Sequence, residues 1–327
     1  MSGFILRRLA MMIVMMVFIS IAAFFIIQLP PGDFLTTLAA GLEAGSEMSQ
    51  QQLDFLRERY GLDQPIYVQY WSWISAIIFR GDFGYSFQWQ RPVADLIWDQ
   101  LGFTMILSIS TLLFAWAVSF PIGVYSAIRQ YSIGDYVFTF IGFIGLAIPN
   151  FLLALVLMYI GFQFFGQSVG GLFSPEYSKA PWSFAKFEDL LAHLWIPMIV
   201  VGAAKTAELV RIMRANLLDE LNKPYVTTAR AKGLPELSLI FKYPVRIALN
   251  PFVSTVGWVL PSLISGAVIA SVVLNLPTVG PLLLTALQSQ DMYLAGAFIL
   301  MLSMLTLVGT LVSDILLAML DPRIRLE

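Results

Sequence analysis

Lys205 and Glu208 put charge where charge is costly. They are the only ionisable side chains between His193 and Arg211, in a run that otherwise reads as membrane-buried. A spacing of three places both on one helical face, close enough to pair, and Arg211 continues that face. Ionisable groups inside an apolar span turn toward a bundle interior or a water-filled cavity. Two readings stay open: a pair that orients its helix near one end, or a pair that faces a transport path. Further candidates for a path lining are Asn150 beside Pro149, then Pro261, Ser262 and Ser265. Proline frees a backbone carbonyl that must find a partner within the protein or in a wet cavity.

Enzymatic chemistry has little to work with. The chain has no cysteine and a single histidine, His193, which excludes thiol catalysis, thiolate metal sites and imidazole clusters. His193 borders an apolar run and is expected to be structural. There is no G-x-x-x-x-G-K-[ST] phosphate loop and no Gly-x-Ser-x-Gly elbow, so neither a catalytic residue nor a bound cofactor is expected in this chain. Any use of ATP would need another subunit.

The elements that must position these residues are membrane spans. With 58% hydrophobic and 12% charged residues, the chain is too apolar for a soluble domain and reads as an all-α membrane protein. Six runs approach the roughly 20 residues a bilayer demands: Leu9 to Leu29, Phe103 to Ile128, Tyr136 to Phe165, His193 to Met213, Pro251 to Leu274 and Tyr293 to Met319. The first follows Arg7 and Arg8 but is too long for a signal peptide and lacks a small-x-small cleavage site, so it reads as a retained anchor. Pro121, Pro149, Pro197 and Pro261 are expected to interrupt spans. Ser262, Gly266 and Ala270, with Ser265 alongside, permit close helix approach in the fifth. Asp314, near the end of the sixth, is taken as structural.

Lys and Arg set the orientation. Arg7, Arg8, Arg129, the loop carrying Arg211, Arg214, Lys223, Arg230, Lys232, Lys242 and Arg246, and the tail with Arg323 and Arg325 fall on one side. That side is the cytoplasm, and both termini lie there. Charge so placed follows membrane sidedness and implies lipid, not nucleic acid, as a partner. The expected divisions are residues 1–29 for the N-terminus and first span, 30–100 for an extracytoplasmic segment and 101–320 for the remaining spans. The last of these contains a cytoplasmic loop, 214–250, and residues 321–327 form a tail.

Within the outer segment, Ser49 and Gln52 make a capping-box pattern, and Leu53, Leu56 and Tyr60 share a face before Gly61. Ile66 to Phe79 follows, rich in aromatics (Tyr67, Tyr70, Trp71, Trp73, Phe79) and too short to span. It is expected at the outer membrane-water boundary. In the cytoplasmic loop, Pro224 suits a first helical turn, Gly233 suits a left-handed cap and Pro235 prevents continuation. About eight residues remain between them, roughly 12 Å of helix at 1.5 Å per residue. So short a helix is marginal alone, and something else must hold it.

That stretch, Tyr225-Val226-Thr227-Thr228-Ala229-Arg230-Ala231-Lys232-Gly233-Leu234, resembles the coupling-helix segment of ABC-importer permeases of the oligopeptide, dipeptide and nickel family, particularly their B-type subunit. The resemblance extends over nearly the whole chain. It includes Pro31-Gly32-Asp33, Arg59-Tyr60-Gly61-Leu62-Asp63-Gln64-Pro65, Gly81-Asp82-Phe83-Gly84-Tyr85-Ser86, Ser265-Gly266-Ala267-Val268-Ile269, Asn275-Leu276-Pro277 and Asp321-Pro322-Arg323-Ile324-Arg325. It implies a type I ABC importer permease architecture with six transmembrane helices in a bacterial inner membrane. The implied partners are a second homologous permease, two cytoplasmic ATPases binding ATP and Mg, and an extracytoplasmic solute-binding protein. Peptides are the implied solute, with nickel complexes or oligosaccharides also carried in the family. Tyr225 to Lys232 would enter a groove on an ATPase, with Arg230 and Lys232 reaching polar groups there, Val226 and Ala229 filling an apolar contact and Gly233 fixing the exit. Thr227, Thr228 and Ala229 depart from the glutamate and two small residues of the broader loop motif.

A rival reading is a self-contained secondary transporter with Lys205 and Glu208 as its ion-coupled pair. A scaffold recruiting a soluble protein is a third, disfavoured by proline-rich spans.

Overall fold

The computed structural model describes residues 2–28, 64–86, 88–167, 170–255 and 268–320. In chain order these form α1 (Ser2–Gln28), α2 (Ile66–Arg80), a two-stranded antiparallel ribbon of β1 (Tyr85–Ser86) and β2 (Arg91–Pro92), then α3 (Val93–Ile128), α4 (Ile133–Ala147), α5 (Asn150–Phe165) and the single turn α6 (Pro175–Ser178). They continue with α7 (Phe184–Leu221), α8 (Pro224–Ala231), α9 (Glu236–Lys242), α10 (Pro244–Ser254), α11 (Val268–Val273), α12 (Val279–Gln288) and α13 (Met292–Leu320).

Among the described residues, α1, α3, α7 and α13 are long and apolar enough to cross a membrane. The expected third span, Tyr136 to Phe165, is not one helix: α4 and α5 meet at 107°. Pro149 causes the break. Its ring disfavours helical backbone at the preceding residue, and Ile148 is extended at φ −79°, ψ 124°. Pro121 and Pro197, by contrast, lie inside unbroken helices, which corrects the expectation that they interrupt their spans. Pro261, Ser262, Ser265 and Gly266 lie outside the described residues, as do the predicted outer helix near Ser49 and the tail 321–327. Ala270, the described member of the small-residue face, is buried.

α7 runs past its expected limits at both ends. Ser183 caps it by accepting from the Lys186 N–H at 3.2 Å, so the helix starts before His193 and continues beyond Met213. His193 is therefore not at a helix boundary. It is buried, with Nδ1 2.8 Å from the Asp189 carbonyl one turn back. Lys186 is also buried, donating to the Ala180 carbonyl at 2.6 Å beneath the ring of Phe173.

Contacts divide the chain into two compact units. In the unit built on Thr104–Pro277, small residues bring neighbours close to α7. A Cβ at Gly123 of α3 would stand 2.6 Å from Met213 Cβ, and Gly142 and Gly145 of α4 face Ala207 and Ala203 at 3.6 Å each. Such contacts suit a bilayer, where apolar helices gain by close packing and not by escaping water. In the unit built on Arg7–Phe103 and Thr278–Leu305, Asp291 is fully buried and accepts from the Ser86 hydroxyl at 2.6 Å. There Gly84, at φ +92°, makes room for Tyr293, whose ring a Cβ would approach to 2.7 Å. The motif Gly81 to Ser86 thus has a packing reason for its second glycine and a hydrogen-bonding reason for its serine.

Candidate functional site

α8 follows its sequence punctuation to within one residue of the expected Tyr225 to Lys232. Pro224 opens it, the Lys232 N–H closes on the Thr228 carbonyl at 3.1 Å, and the Gly233 N–H donates to the Arg230 carbonyl at 3.0 Å. Gly233 takes φ +77° with nothing within 4 Å of where a Cβ would stand. The glycine is required by backbone conformation, not by crowding.

What holds the helix is its own chain. Val226 and Ala229 are buried in a core with Leu209, Met213 and Leu217 of α7, Leu239 and Ile240 of α9, Val245, Ala248 and Phe252 of α10, and Val124 and Ala127 of α3. This corrects the expectation that Val226 and Ala229 fill a partner's apolar contact, since neither is free to do so. Burying two apolar positions against α7, α9 and α10 is what a helix this short needs. The outward face is left to Thr227, Thr228, Ala231, Lys232 and Gly233, all exposed.

Two polar contacts frame α8. Tyr225 Oη donates to Glu220 Oε2 at 2.6 Å, tying the first turn to the end of α7. Partial burial and that hydrogen bond raise the phenol's pKa, so it stays a donor. Past Gly233, Arg230 meets Glu236 of α9 with Nε 3.0 Å from Oε2 and a second bond from Nη2 to Oε1. Hydrogen bonding to Arg230 holds the Glu236 carboxyl below its ordinary value, and Glu236 raises Arg230 in return. Arg230 thus has a partner within the chain, while half of its side chain stays exposed.

A second pair lies nearby in the same unit. Arg214 of α7 donates to both oxygens of Asp135, Nε to Oδ1 at 3.0 Å and Nη2 to Oδ2 at 2.8 Å. Asp135 also accepts from the Tyr131 N–H at 3.0 Å, while its own N–H is capped by the Ser132 hydroxyl at 3.2 Å. The turn from α3 into α4 is thereby clamped to α7. Membrane sidedness alone accounted for Arg214 in the sequence, and Asp135 carried no assigned role. The spacing Ser132-x-x-Asp135 is a capping signal, but nothing in it points 79 residues ahead to Arg214.

Of the path candidates, Lys205 and Glu208 do pair, Nζ to Oε2 at 3.2 Å, with both side chains partly exposed. Ala203 and Ala207 face α4. Lys205 stands two residues, or about 200° of helix, from each, which puts it on the opposite side of α7. Asn150 is the half-buried first residue of α5, just past the bend.

The chain that carries this helix has known relatives. Residues 119–326 match the family described as binding-protein-dependent transport system inner membrane component, and residues 1–108 match that system's N-terminal membrane-component family. The chain is 37% identical over 325 residues to the oligopeptide transport system permease protein AppB of Bacillus subtilis, covering 99% of each chain. It is 31% identical over 325 residues to the glutathione transport system permease protein GsiC of Escherichia coli, again covering 99% of each. The chain belongs to the family of binding-protein-dependent transport permeases of the inner membrane, a peptide-type ABC permease and not an enzyme.

Proposed function

We propose that this permease forms one transmembrane half of an ATP-driven importer for peptides or a related small solute. The names of AppB and GsiC support a peptide-like cargo. The working complex would add a second homologous permease, two cytoplasmic ATPases that bind ATP and Mg, and an extracytoplasmic solute-binding protein. Six spans with both termini in the cytoplasm fit the distribution of Lys and Arg. Residues 30–100 would then lie outside, and 214–250 would form the cytoplasmic loop. Family membership counts against the ion-coupled alternative, which gives α8 no task.

The observation that carries this reading is the two-sidedness of α8. Its inner face is fixed in a core shared with α3, α7, α9 and α10, and its outer face is polar, exposed and short. An ATPase groove gripping Thr227, Thr228, Ala231 and Lys232 would move that core as a body. Closure of the ATPase dimer would thus tilt α7 and α10 and switch access, with Asn150, Lys205, Glu208, Pro261, Ser262 and Ser265 as candidate path residues.

The absence of cysteine makes the test direct. Single cysteines at Thr228 and Ala231 should crosslink to an ATPase subunit in the assembled transporter, while one at Val226 should not. Crosslinking at 226 with none at 228 or 231 would reverse the assigned faces. No crosslink at any of the three in an actively importing complex would remove α8 from the coupling path.

A further inference from the structure

α2 has two apolar faces, and only one is accounted for. Its inner face packs on the end of α1: Tyr70 Oη lies 2.8 Å from Ser20 Oγ, Phe24 sits 5.5 Å from the Tyr70 ring and 5.7 Å from Trp73, and Gln28 donates to Gln69 at 3.1 Å. Leu300 of α13 joins the same cluster. Ser20 to Gln28 is about 12 Å of helix, and Leu300 lies about the same distance into α13. α2 is therefore held beside the last turns of α1 and the first turns of α13, not beyond their tips. Its other face carries Tyr67, Trp71 and Ile78 in one stripe at spacings of four and seven, flanked by Ile66 and Phe79, with Tyr67 74%, Trp71 67% and Phe79 78% exposed.

We propose that this outward stripe is a lipid-binding surface, seated in the interfacial layer of the bilayer's outer leaflet. Fifteen residues give about 22 Å of helix, too short to cross a hydrocarbon core of about 30 Å. The segment carries no charge until its last residue, Arg80, whose long stem lets a cation reach the headgroups. Tyr and Trp suit a layer that is apolar on one side and wet on the other. The C-terminal backbone end is compatible with that layer, since with Gly81 in the left-handed conformation its N–H donates to the Ile77 carbonyl and the Asp82 N–H to the Ala76 carbonyl, each at 3.1 Å. The helix it packs on, α1, also exposes apolar side chains, among them Phe18, Phe25 and Ile26. The segment 30–63 is a poor cover, because its six acidic and two basic side chains suit water better than an apolar stripe. The choice of outer leaflet rests on the orientation proposed above; the lipid contact does not.

The experiment uses spin-labelled single cysteines at Tyr67, Trp71 and Ile78, with Gln64→Cys as a water-exposed control, in the full chain reconstituted into phosphatidylethanolamine–phosphatidylglycerol vesicles. At all three stripe positions, collision with oxygen should exceed collision with a water-soluble nickel chelate, and the control should show the reverse. Chelate access at the stripe would overturn the proposal in favour of water. Low access to both reagents would overturn it in favour of a protein cover, whether residues 30–63 or a partner subunit. Reduction of the control label by external ascorbate, compared between vesicles of known insertion sidedness, reports the leaflet separately, so a wrong orientation cannot be mistaken for a failed lipid contact.

Discussion

Asp135–Arg214 and Arg230–Glu236 are both forked arginine-carboxylate pairs, yet their surroundings differ. The first joins residues 79 apart in sequence, with Asp135 only 3% and Arg214 27% exposed. The second joins residues six apart across the Gly233 turn, with both side chains about half exposed at 50% and 53%. Removing one member of a buried pair strands a charge, whereas removing one member of an exposed pair leaves the other to water. The clamp at Asp135 is therefore suited to keeping α4 and α7 together through every state. The brace at Arg230 is suited to being exchanged, because another protein's carboxylate can replace Glu236 at little cost. The difference in burial predicts which pair is structural and which is available for docking.

The contrast fails most visibly if Asp135→Asn proves harmless. Stranding Arg214 should cost about 3 kcal/mol, read as a clear fall in the unfolding temperature of the purified permease. An unchanged temperature would mean that water already solvates the pair. Next in size is Val226→Ala, which removes two buried carbon groups and should cost about 2 kcal/mol including the cavity left behind. A variant that kept full stability but lost ATPase binding would return Val226 to the partner surface. Gly233→Val should cost roughly 1 to 2 kcal/mol for a branched side chain forced into left-handed backbone, with a larger loss of ATP-coupled uptake than of folding. Normal coupling in that variant would show that the exit angle of α8 does not matter.

Smallest is Arg230→Gln, for which no change in unfolding temperature is expected at neutral pH, with any effect on ATPase affinity fading as salt rises. The pH dependence has a definite sign. Glu236 is held below its ordinary value, so the brace is intact above the unfolded glutamate value of about 4.3 and is lost as pH falls through the lower folded value. Hydrogen exchange across residues 232–236 should therefore distinguish wild type from Arg230→Gln at pH 7 and converge on strong acidification. A difference that grew on acidification would contradict the assignment.

Sequence alone located α8 because proline and glycine fix backbone angles locally, whatever surrounds them. It misassigned Val226 and Ala229 because an amphipathic face looks the same whether its cover comes from the same chain or from a partner. Pro149 broke a span while Pro121 and Pro197 did not, and that outcome depends on whether neighbouring groups satisfy the freed carbonyls, which local residue type does not encode. Asp135 went unassigned for a related reason: its capping role is local and visible, but its ionic partner is distant. The family resemblance was legible because it rested on many short motifs spread along the chain, of which Gly84 and Ser86 now have packing roles.

The length of α7 has a mechanical meaning. Its 38 residues amount to about 57 Å of rod, nearly twice a hydrocarbon core of about 30 Å. Pro197 interrupts the hydrogen-bond ladder without breaking the helix, and from there to Leu221 the rod runs about 36 Å. Were Pro197 the pivot, a swing of about 10° would carry the far end roughly 6 Å, about one helical turn. A permease with such an arm would need only a small rotation within the membrane to produce a large stroke where α8 is attached. By reciprocity, a modest pull there would reach the spans as a small angle delivered with high leverage.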